Sequence, residues 1–454
     1  MPQKAKQDRL SIEELRSAAQ SGDFHTVSLA MVDMQGRLQG KRLTAEHFLD
    51  EVAENNAEGC NYQLAVDVEM NPVSGYRHAS WSTGYGDFVF VPDLATLRRT
   101  PWHDGSALVM SDLHWADGSP VVVSPRQILR RQIERLAERG LVAFAGTELE
   151  FILFRDSYEQ AWDKAYRDLV PSTRYNVDYA LLDTPCIEPL LGRIRNEMRG
   201  AGLQVEDSKG ECNYGQHEIN FHFGPALDAA DGHAIYKNGA KEIAAQEGYS
   251  LTFMPKFNER EGNSCHIHLS VRSQEGEPVM ADDHDLSALG RRFVAGLVAG
   301  MRDLTLLFAP NINSYKRYVP GSFAPTAVSW GRDNRTCALR LVGHGPSLRI
   351  ENRVPGGDVN PYLALAAMIA AGIHGIDNEL ELEPECEGNA YEADKPRVPY
   401  TLRDARDLFA QSDIAREAFG ADVVDHYLNM ARIELEAFES AVTDWERYRT
   451  FERM

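Results

Sequence analysis

Glu148 and Glu150 stand two residues apart in the run 143–154, Ala-Phe-Ala-Gly-Thr-Glu-Leu-Glu-Phe-Ile-Leu-Phe. The rest of the run is almost wholly apolar and reads as a buried strand. Side chains alternate across a strand, so both carboxylates share one face. Two adjacent carboxylates on a buried face repel unless a cation or a proton lies between them. No Lys or Arg lies inside the run to neutralise them. A metal site inside an enzyme is the economical expectation.

Four further segments repeat the pattern. In 215–223, Gln216, Glu218, Asn220 and His222 fall on one side, with Glu211 just upstream. In 265–270, His266 and His268 share a face with Ser270, and in 347–353 Arg349, Glu351 and Arg353 do so. Arg340 stands alone among apolar neighbours in 336–341. Each piece has an ordinary reading: Glu-x-Glu as a solvated strand face, His-x-His as structure, Arg340 as half of a buried ion pair. Their recurrence in one chain tells against it. Carboxylates with a few imidazoles and no thiolate suit Mg²⁺ or Mn²⁺ better than zinc. Arginines beside such ions suit phosphate oxygens, which points to phosphoryl transfer from a metal-bound nucleotide. Strands of this kind curving together make a funnel.

The chain has 454 residues, enough for a large core and more than one domain. Its formal charge of −21 argues against a nucleic-acid binder or an anionic-membrane binder. No apolar run approaches the ~20 residues of a membrane span, and the polar start Met1-Pro-Gln-Lys is unlike a signal peptide. Cys60, Cys186, Cys212, Cys265, Cys337 and Cys386 are scattered, as reduced thiols of a cytoplasmic protein would be. Three parts are expected: a polar segment and helix over 1–20, a small mixed domain over 21–118, and a large domain over 119–454. The turn cluster Asp117-Gly-Ser-Pro120 marks the boundary. Ser11 with Glu14 forms a capping box, and Ser124 with Pro125 and Gln127 is expected to form another. Residues 27–33 and 37–42 read as a hairpin. Further helices are expected over 231–247, over 289–308, from Asn360 onward and over 421–449.

In order and spacing the motifs resemble the glutamine synthetase family, type I. The segments that carry the resemblance are Gly146-Thr-Glu-Leu-Glu-Phe, Gly215-Gln-His-Glu, Phe253-Met-Pro-Lys-Phe, Cys265-His-Ile-His-Leu-Ser and Asn313-Ser-Tyr-Lys-Arg-Tyr-Val-Pro-Gly. Asn334-Arg335, Arg340, Arg349-Ile-Glu-Asn-Arg353 and Asn360-Pro-Tyr complete the set. The resemblance implies an α+β fold: a small β-grasp N-terminal domain, and a catalytic domain whose curved antiparallel sheet forms a half-barrel flanked by helices. It implies a homo-oligomer, a dodecamer of two hexameric rings with active sites between subunits. It implies glutamate, ATP and a small amine as substrates, and two or more divalent ions per site. By position, Glu150, Glu211 and Glu218 would hold one metal, and Glu148, His266 and Glu351 another. Glu206, His268, Ser270, Arg335 and Arg340 would contact ATP. Arg317 and Arg353 would clamp glutamate, with Gly262 in the supporting loop, and Arg335 would neutralise the phosphoryl group in flight.

Two departures bear on the amine. In the family's glutamine synthetases a glutamate stands just before Ala-Pro in the flap after the Lys-Arg motif; here Phe323 does. A phenyl ring takes no proton, but it offers apolar surface to an alkyl amine. In the N-terminal domain Asp67 and Asp87 match acidic positions of the ammonium site, yet Val68-Glu69-Met70 replaces the usual small polar neighbours. Glu69 is expected on the same face as Asp67. The amine pocket (Asp67, Asp87, Glu69, Phe323) thus resembles that of γ-glutamyl-amine ligases. An ethanolamine-like monoamine is favoured. The alternatives are a polyamine, ammonia used by an atypical glutamine synthetase, and a catalytically silent scaffold.

Overall fold

The computed structural model describes residues 9–182, 186–282 and 285–454. Of the first ten residues, which are expected to fray, 1–8 lie outside the described residues, whereas Leu10 is buried and its N–H donates to the Leu97 carbonyl at 2.9 Å. Two sheets organise the chain. The first is mixed and six-stranded: β1 (Thr26–Val32), β2 (Leu38–Thr44), β3 (Ala57–Cys60), β4 (Asp87–Pro92), β5 (Arg98–Arg99) and β6 (Ser106–His114), in the order β2-β1-β6-β4-β3 with β5 on β6. β1 and β2 are the expected hairpin, paired from Thr26↔Thr44 to Val32↔Leu38. β1 runs parallel to β6.

The second sheet has nine strands: β7 (Leu141–Phe154), β8 (Val205–Gly210), β9 (Gln216–Phe221), β10 (Gly224–Pro225), β11 (Ser250–Thr252), β12 (Cys265–Ser273), β15 (Trp330–Arg332), β16 (Leu339–Val342) and β17 (Arg349–Asn352). A separate small hairpin supplies β13 (Ala281–Asp282) and β14 (Asp285–Leu286). The order is β15-β16-β17-β12-β7-β9-β8, with β10 and β11 on β7, and the sheet curves until it nearly closes. The fold is α+β, as expected, but this sheet is not wholly antiparallel: β15 and β16 run parallel.

Most helix expectations hold and some need correction. Ser11 Oγ accepts from Glu14 N, and Glu14 returns the bond to Ser11 N, so the first capping box is real. Asn360 caps the helix Pro361–Asp377 by accepting from Tyr362 N. Ser124 precedes the helix Pro125–Ala137, but its side chain makes no cap bond and the second box does not form. The helix expected over 231–247 starts earlier, as Ala226–Gln246. The stretch expected as one helix over 289–308 is two, Ala288–Gly300 and Thr305–Phe308. At the break Thr305 Oγ1 donates to the Met301 carbonyl at 2.7 Å, the kind of local bond that competes with helical hydrogen bonding. The C-terminal stretch is Asp413–Ser440, interrupted where Gly420 leaves helical geometry, followed by Asp444–Thr450. The second piece starts at its own box, Thr443 with Glu446, which a reading of amphipathic periodicity passed over.

The odd-numbered side of β7, with Leu149, Phe151 and Leu153 buried, packs against the helices Pro125–Ala137 and Ala226–Gln246. Behind them lies Pro361–Asp377, buried along almost its whole length and packed on Ala288–Gly300. A buried ion network ties the first sheet to this layer. Arg126 donates to Asp112 (2.7 Å), Asp93 (2.7 Å) and Asp231 (3.0 and 3.1 Å), and Tyr362 Oη donates to Asp231 at 2.6 Å. The glutamate-bearing side of β7 is thereby turned away from the helices.

The two central helices touch backbone to backbone. A Cβ added at Gly375 would lie 2.0 Å from the Arg292 carbonyl oxygen and 2.6 Å from Gly296 N. Backbone cannot swing aside, so the helices would have to part. Gly375→Ala is expected to cost about 1–3 kcal/mol of stability, read by calorimetry as a lower thermal midpoint. Gly86→Ala, where the nearest atom is 3.9 Å away, should change little.

Candidate active site

Strand register assembles the site. β12 places His266 opposite Glu148, β9 places Glu218 opposite Glu150, and β17 places Glu351 opposite His268. β16 sets Arg340 opposite Glu351. With the pleat's alternation these side chains share one face. Ligand atoms of Glu150, Glu211 and Glu218 lie within 4.8 Å of one another, and so do those of Glu148, His268 and Glu351. His266 Nδ1 is 3.4 Å from both Glu148 and Glu351. Both imidazoles therefore border the second group. A third and more exposed group is Asp178, Glu211 and Cys212.

Electrostatics fit a divalent ion in each of the first two groups. Burial, then the negative charge of Glu150, raises the Glu218 carboxyl to about 8. A proton there stands where a cation would. Burial would raise Glu148 as well, but hydrogen bonds from His266 and then His268 hold it well below the usual carboxylate range. Lys209, which the sequence reading did not single out, pairs with Glu211 and lies 3.7 Å from Glu218. Glu150 is aimed by neighbours: it accepts from Gln216 Nε2 (3.0 Å), Ser264 N (2.7 Å) and Ser264 Oγ (2.6 Å). Ser264 could have been found as the residue flanking the His-x-His strand next to β7.

The arginines occupy the other end. Arg353 and Arg340 both pair with Glu351, Arg340 at 2.9 Å. Arg317 is tied to the carbonyls of Arg353 and Pro355, each at 3.0 Å. The Nε atoms of both Arg317 and Arg353 are buried and lack partners among the described residues. Buried guanidinium N–H groups without acceptors suit a carboxylate ligand. Gly262 sits beside them: a Cβ there would meet the Pro255 carbonyl oxygen at 2.1 Å and Arg317 Cγ at 3.0 Å. Arg335 is exposed on the loop between β15 and β16, which Asn334 anchors through the Gly388 carbonyl at 2.8 Å.

A cavity of about 360 Å³ adjoins the second metal-type group, lined by Glu148, Glu206, Phe223, His268, Ser270 and Arg349, among others. Three residues expected at ATP (Glu206, His268 and Ser270) line it. Arg340 and Arg335 do not, standing instead by Glu351 and on the exposed loop. Phe223 and Arg349 are additional. Phe223 packs edge-on to Phe144 and offers an aromatic face, a signal present in the alternation of 221–223.

Phe323 is 55 % exposed and takes a left-handed φ of 58°, and its carbonyl accepts from Arg353 at 3.3 Å. The backbone of Phe323 therefore reaches the arginine end, and its side chain is exposed. Asp67 and Glu69 belong to a connection of the first sheet, and Asp87 opens β4 between β6 and β3. Asp67 and Glu69 do not share a strand face as expected. They lie in a turn, where Asp67 accepts from Glu69 N (2.9 Å) and Asn71 N (2.8 Å). Within one chain none of the three joins the clusters on the second sheet.

Residues 122–450 match the family model described as glutamine synthetase, catalytic domain. The chain is 62 % identical over 445 residues to gamma-glutamylethanolamide synthetase GlnA4 of Streptomyces coelicolor, covering 98 % of this chain and 96 % of that one. It is 36 % identical to a glutamate–isopropylamine ligase of a Pseudomonas species, covering 97 % and 98 %. A solved structure described as apo GmaS without ligand superposes with a TM-score of 0.84 at 26 % identity, covering 96 % and 99 %.

A carboxyl whose folded pKa is raised stabilises the fold only at low pH. For Glu218 that contribution is complete below its ordinary value of 4.5 and is lost as pH rises through about 8. The metal-free protein should therefore lose thermal stability from pH 5 to pH 8. Glu218→Gln should flatten that slope, and divalent ions should reverse it in the wild type. At pH 7, calorimetry in buffers of different ionisation enthalpy should show about one proton released per ion bound at this group.

Proposed function

The chain belongs to the glutamine synthetase family, and from that premise we propose how its funnel works and which amine it takes. It is an ATP-dependent glutamate–amine ligase. Glu150, Glu211 and Glu218 hold one divalent ion, and Glu148, His266 and Glu351 another. The set of oxygen and imidazole donors fits Mg²⁺ or Mn²⁺. Such ions, when bound, cancel polyphosphate charge and make the γ-phosphorus electrophilic.

Arg317 and Arg353, with Gly262 beside them, clamp the glutamate carboxylates and aim the γ-carboxylate inward. Its oxygen attacks the γ-phosphorus, ADP leaves, and an acyl phosphate forms. Glu206, His268, Ser270 and Arg340 position the nucleotide, and Arg335 reaches from its loop to the phosphoryl group in transfer. The ammonium form gives one proton to the partner subunit's Asp67; the free amine nitrogen then attacks the acyl carbon, the carbon–oxygen bond to phosphate breaks, and the departing phosphate takes up the second proton. Phe323 closes over the amine, and Asp67 of the partner subunit, with Glu69 and Asp87 near it, attracts the ammonium form. This arrangement needs a homo-oligomer, for which we propose the dodecamer of two hexameric rings. Among the described residues no helix is long and apolar enough to cross a membrane, and all six cysteines are free thiols. Free thiols suit a reducing cytoplasm.

The observation that carries the amine is Phe323 at the funnel mouth. A ring there removes the carboxylate that would draw ammonium and offers apolar contact to a two-carbon chain. Together with the 62 % identity to a γ-glutamylethanolamide synthetase, this favours ethanolamine. A phosphate-release screen with glutamate should show ethanolamine at least about tenfold better than ammonium, with product mass confirming the amide. Phe323→Glu should raise the ammonium-dependent rate. Equal wild-type rates would leave a glutamine synthetase with an atypical flap, and preference for diamines would make it a polyamine ligase.

A further inference from the structure

A charged group outside the second sheet's acidic face has no use in the scheme above. Arg98, in β5, is 1 % exposed. The one side-chain hydrogen bond of Arg98 among the described residues is from its Nε to the Thr96 carbonyl at 2.9 Å, and the residue lines a cavity. Burial, and then the charge of Arg9, lowers its pKa to about 10, so it stays a cation at neutral pH. Nearby carboxylates are already engaged: Asp231 with Arg126 and Tyr362, and Asp228 with Arg9 at 3.1 Å. A buried guanidinium with idle donors is costly unless something accepts from them.

Arg98 lines a cavity of about 100 Å³, together with Arg9 and the start of the helix Ala226–Gln246. That helix has 21 residues, no side chain caps its N-terminus, and Asp228, paired with Arg9, stands in its first turn. Its first N–H groups and the helix dipole therefore favour an anion there. His233, 3 % exposed, contributes to the wall; its Nδ1 is 3.1 Å from Thr147 Oγ1 and its Nε2 is without a partner. Asp228 is the carboxylate among the lining residues, and Arg9 matches it, so Arg98 leaves one positive charge in excess. The volume admits a single small anion and no nucleotide.

We propose that this cavity binds a small tetrahedral oxyanion of the inorganic phosphate class, held by Arg98 and Arg9 against the open start of the helix Ala226–Gln246. Gly146, Thr147, Phe221, His222 and Phe223 border both this cavity and the larger one beside Glu148. An occupant therefore shares a wall with the proposed nucleotide seat. The site stands whatever amine the enzyme takes.

The test uses the full-length protein without nucleotide or divalent ion. Its thermal midpoint is followed against sulfate, with chloride holding ionic strength constant, and crystals are grown with selenate for anomalous scattering. The wild-type midpoint should rise and saturate. Arg98→Met and Arg9→Gln should each require about tenfold more sulfate for half the rise. Selenium should appear within hydrogen-bond distance of the Arg98 Nη atoms. Should Arg98→Met fail to fold, Arg9→Gln and the selenium position decide. Parallel responses in wild type and variants, or selenium at Arg317 and Arg353 with none at Arg98, would overturn the site. Acetate should have no comparable effect, and an equal rise with acetate would overturn the tetrahedral assignment.

Discussion

Negative charge gathered on one face of a largely buried sheet is the constraint around which the catalytic half of this protein is arranged. Glu148, Glu150, Glu211, Glu218 and Glu351 converge there, while among the described residues Lys209, Arg340 and Arg353 are the Lys and Arg side chains paired with them, beside the imidazoles of His266 and His268. Five carboxylates against three cations leave a deficit of positive charge in a poorly solvated place. Burial and the same deficit raise the Glu218 carboxyl to about 8. Divalent ions remove it, and an anionic nucleotide then becomes a favourable guest instead of a repelled one.

The scaffold keeps that face rigid. Antiparallel register sets His266 against Glu148 and Glu218 against Glu150, and a slip of one residue would turn every ligand towards the helices. Behind the sheet, helices in backbone contact and the Arg126 network leave little freedom to adjust. At the far end the covering groups are exposed: Arg335 lies on its loop, and Phe323, in a left-handed conformation, accepts from Arg353 through its backbone carbonyl. Firmly held acidic groups with exposed covering groups suit a reaction in which charge moves while water must be kept out.

Selectivity follows from the same contrast. The groups proposed for phosphoryl transfer lie mainly on paired strands, whereas the residues proposed to distinguish one amine from another lie mostly on a flap and in a turn. Phe323 changes the polarity of the mouth without touching the acidic face. Asp67 turns its carboxylate to its own backbone, accepting from Glu69 N and Asn71 N. Loops of this sort vary more freely than paired strands, which is how one fold comes to serve several amines.

Alternation in the sequence was enough to put Glu148 with Glu150, His266 with His268, and Glu351 with Arg353 on shared faces, because a strand's period of two is a local property. Local capping chemistry likewise marked the helices that begin at Ser11 and Asn360. What no local rule supplied was pairing between strands distant in the chain. That pairing brought Lys209 into the acidic group, aimed Ser264 at Glu150 and added Phe223 and Arg349 to the cavity wall. It also made β15 parallel to β16. The turn at Asp67 and the break before Thr305 went the other way, since side-chain bonds to nearby backbone overrode a periodic pattern. Residue chemistry and its spacing are written along the chain; distances between charges arise only when the sheet closes, because they depend on which strands become neighbours.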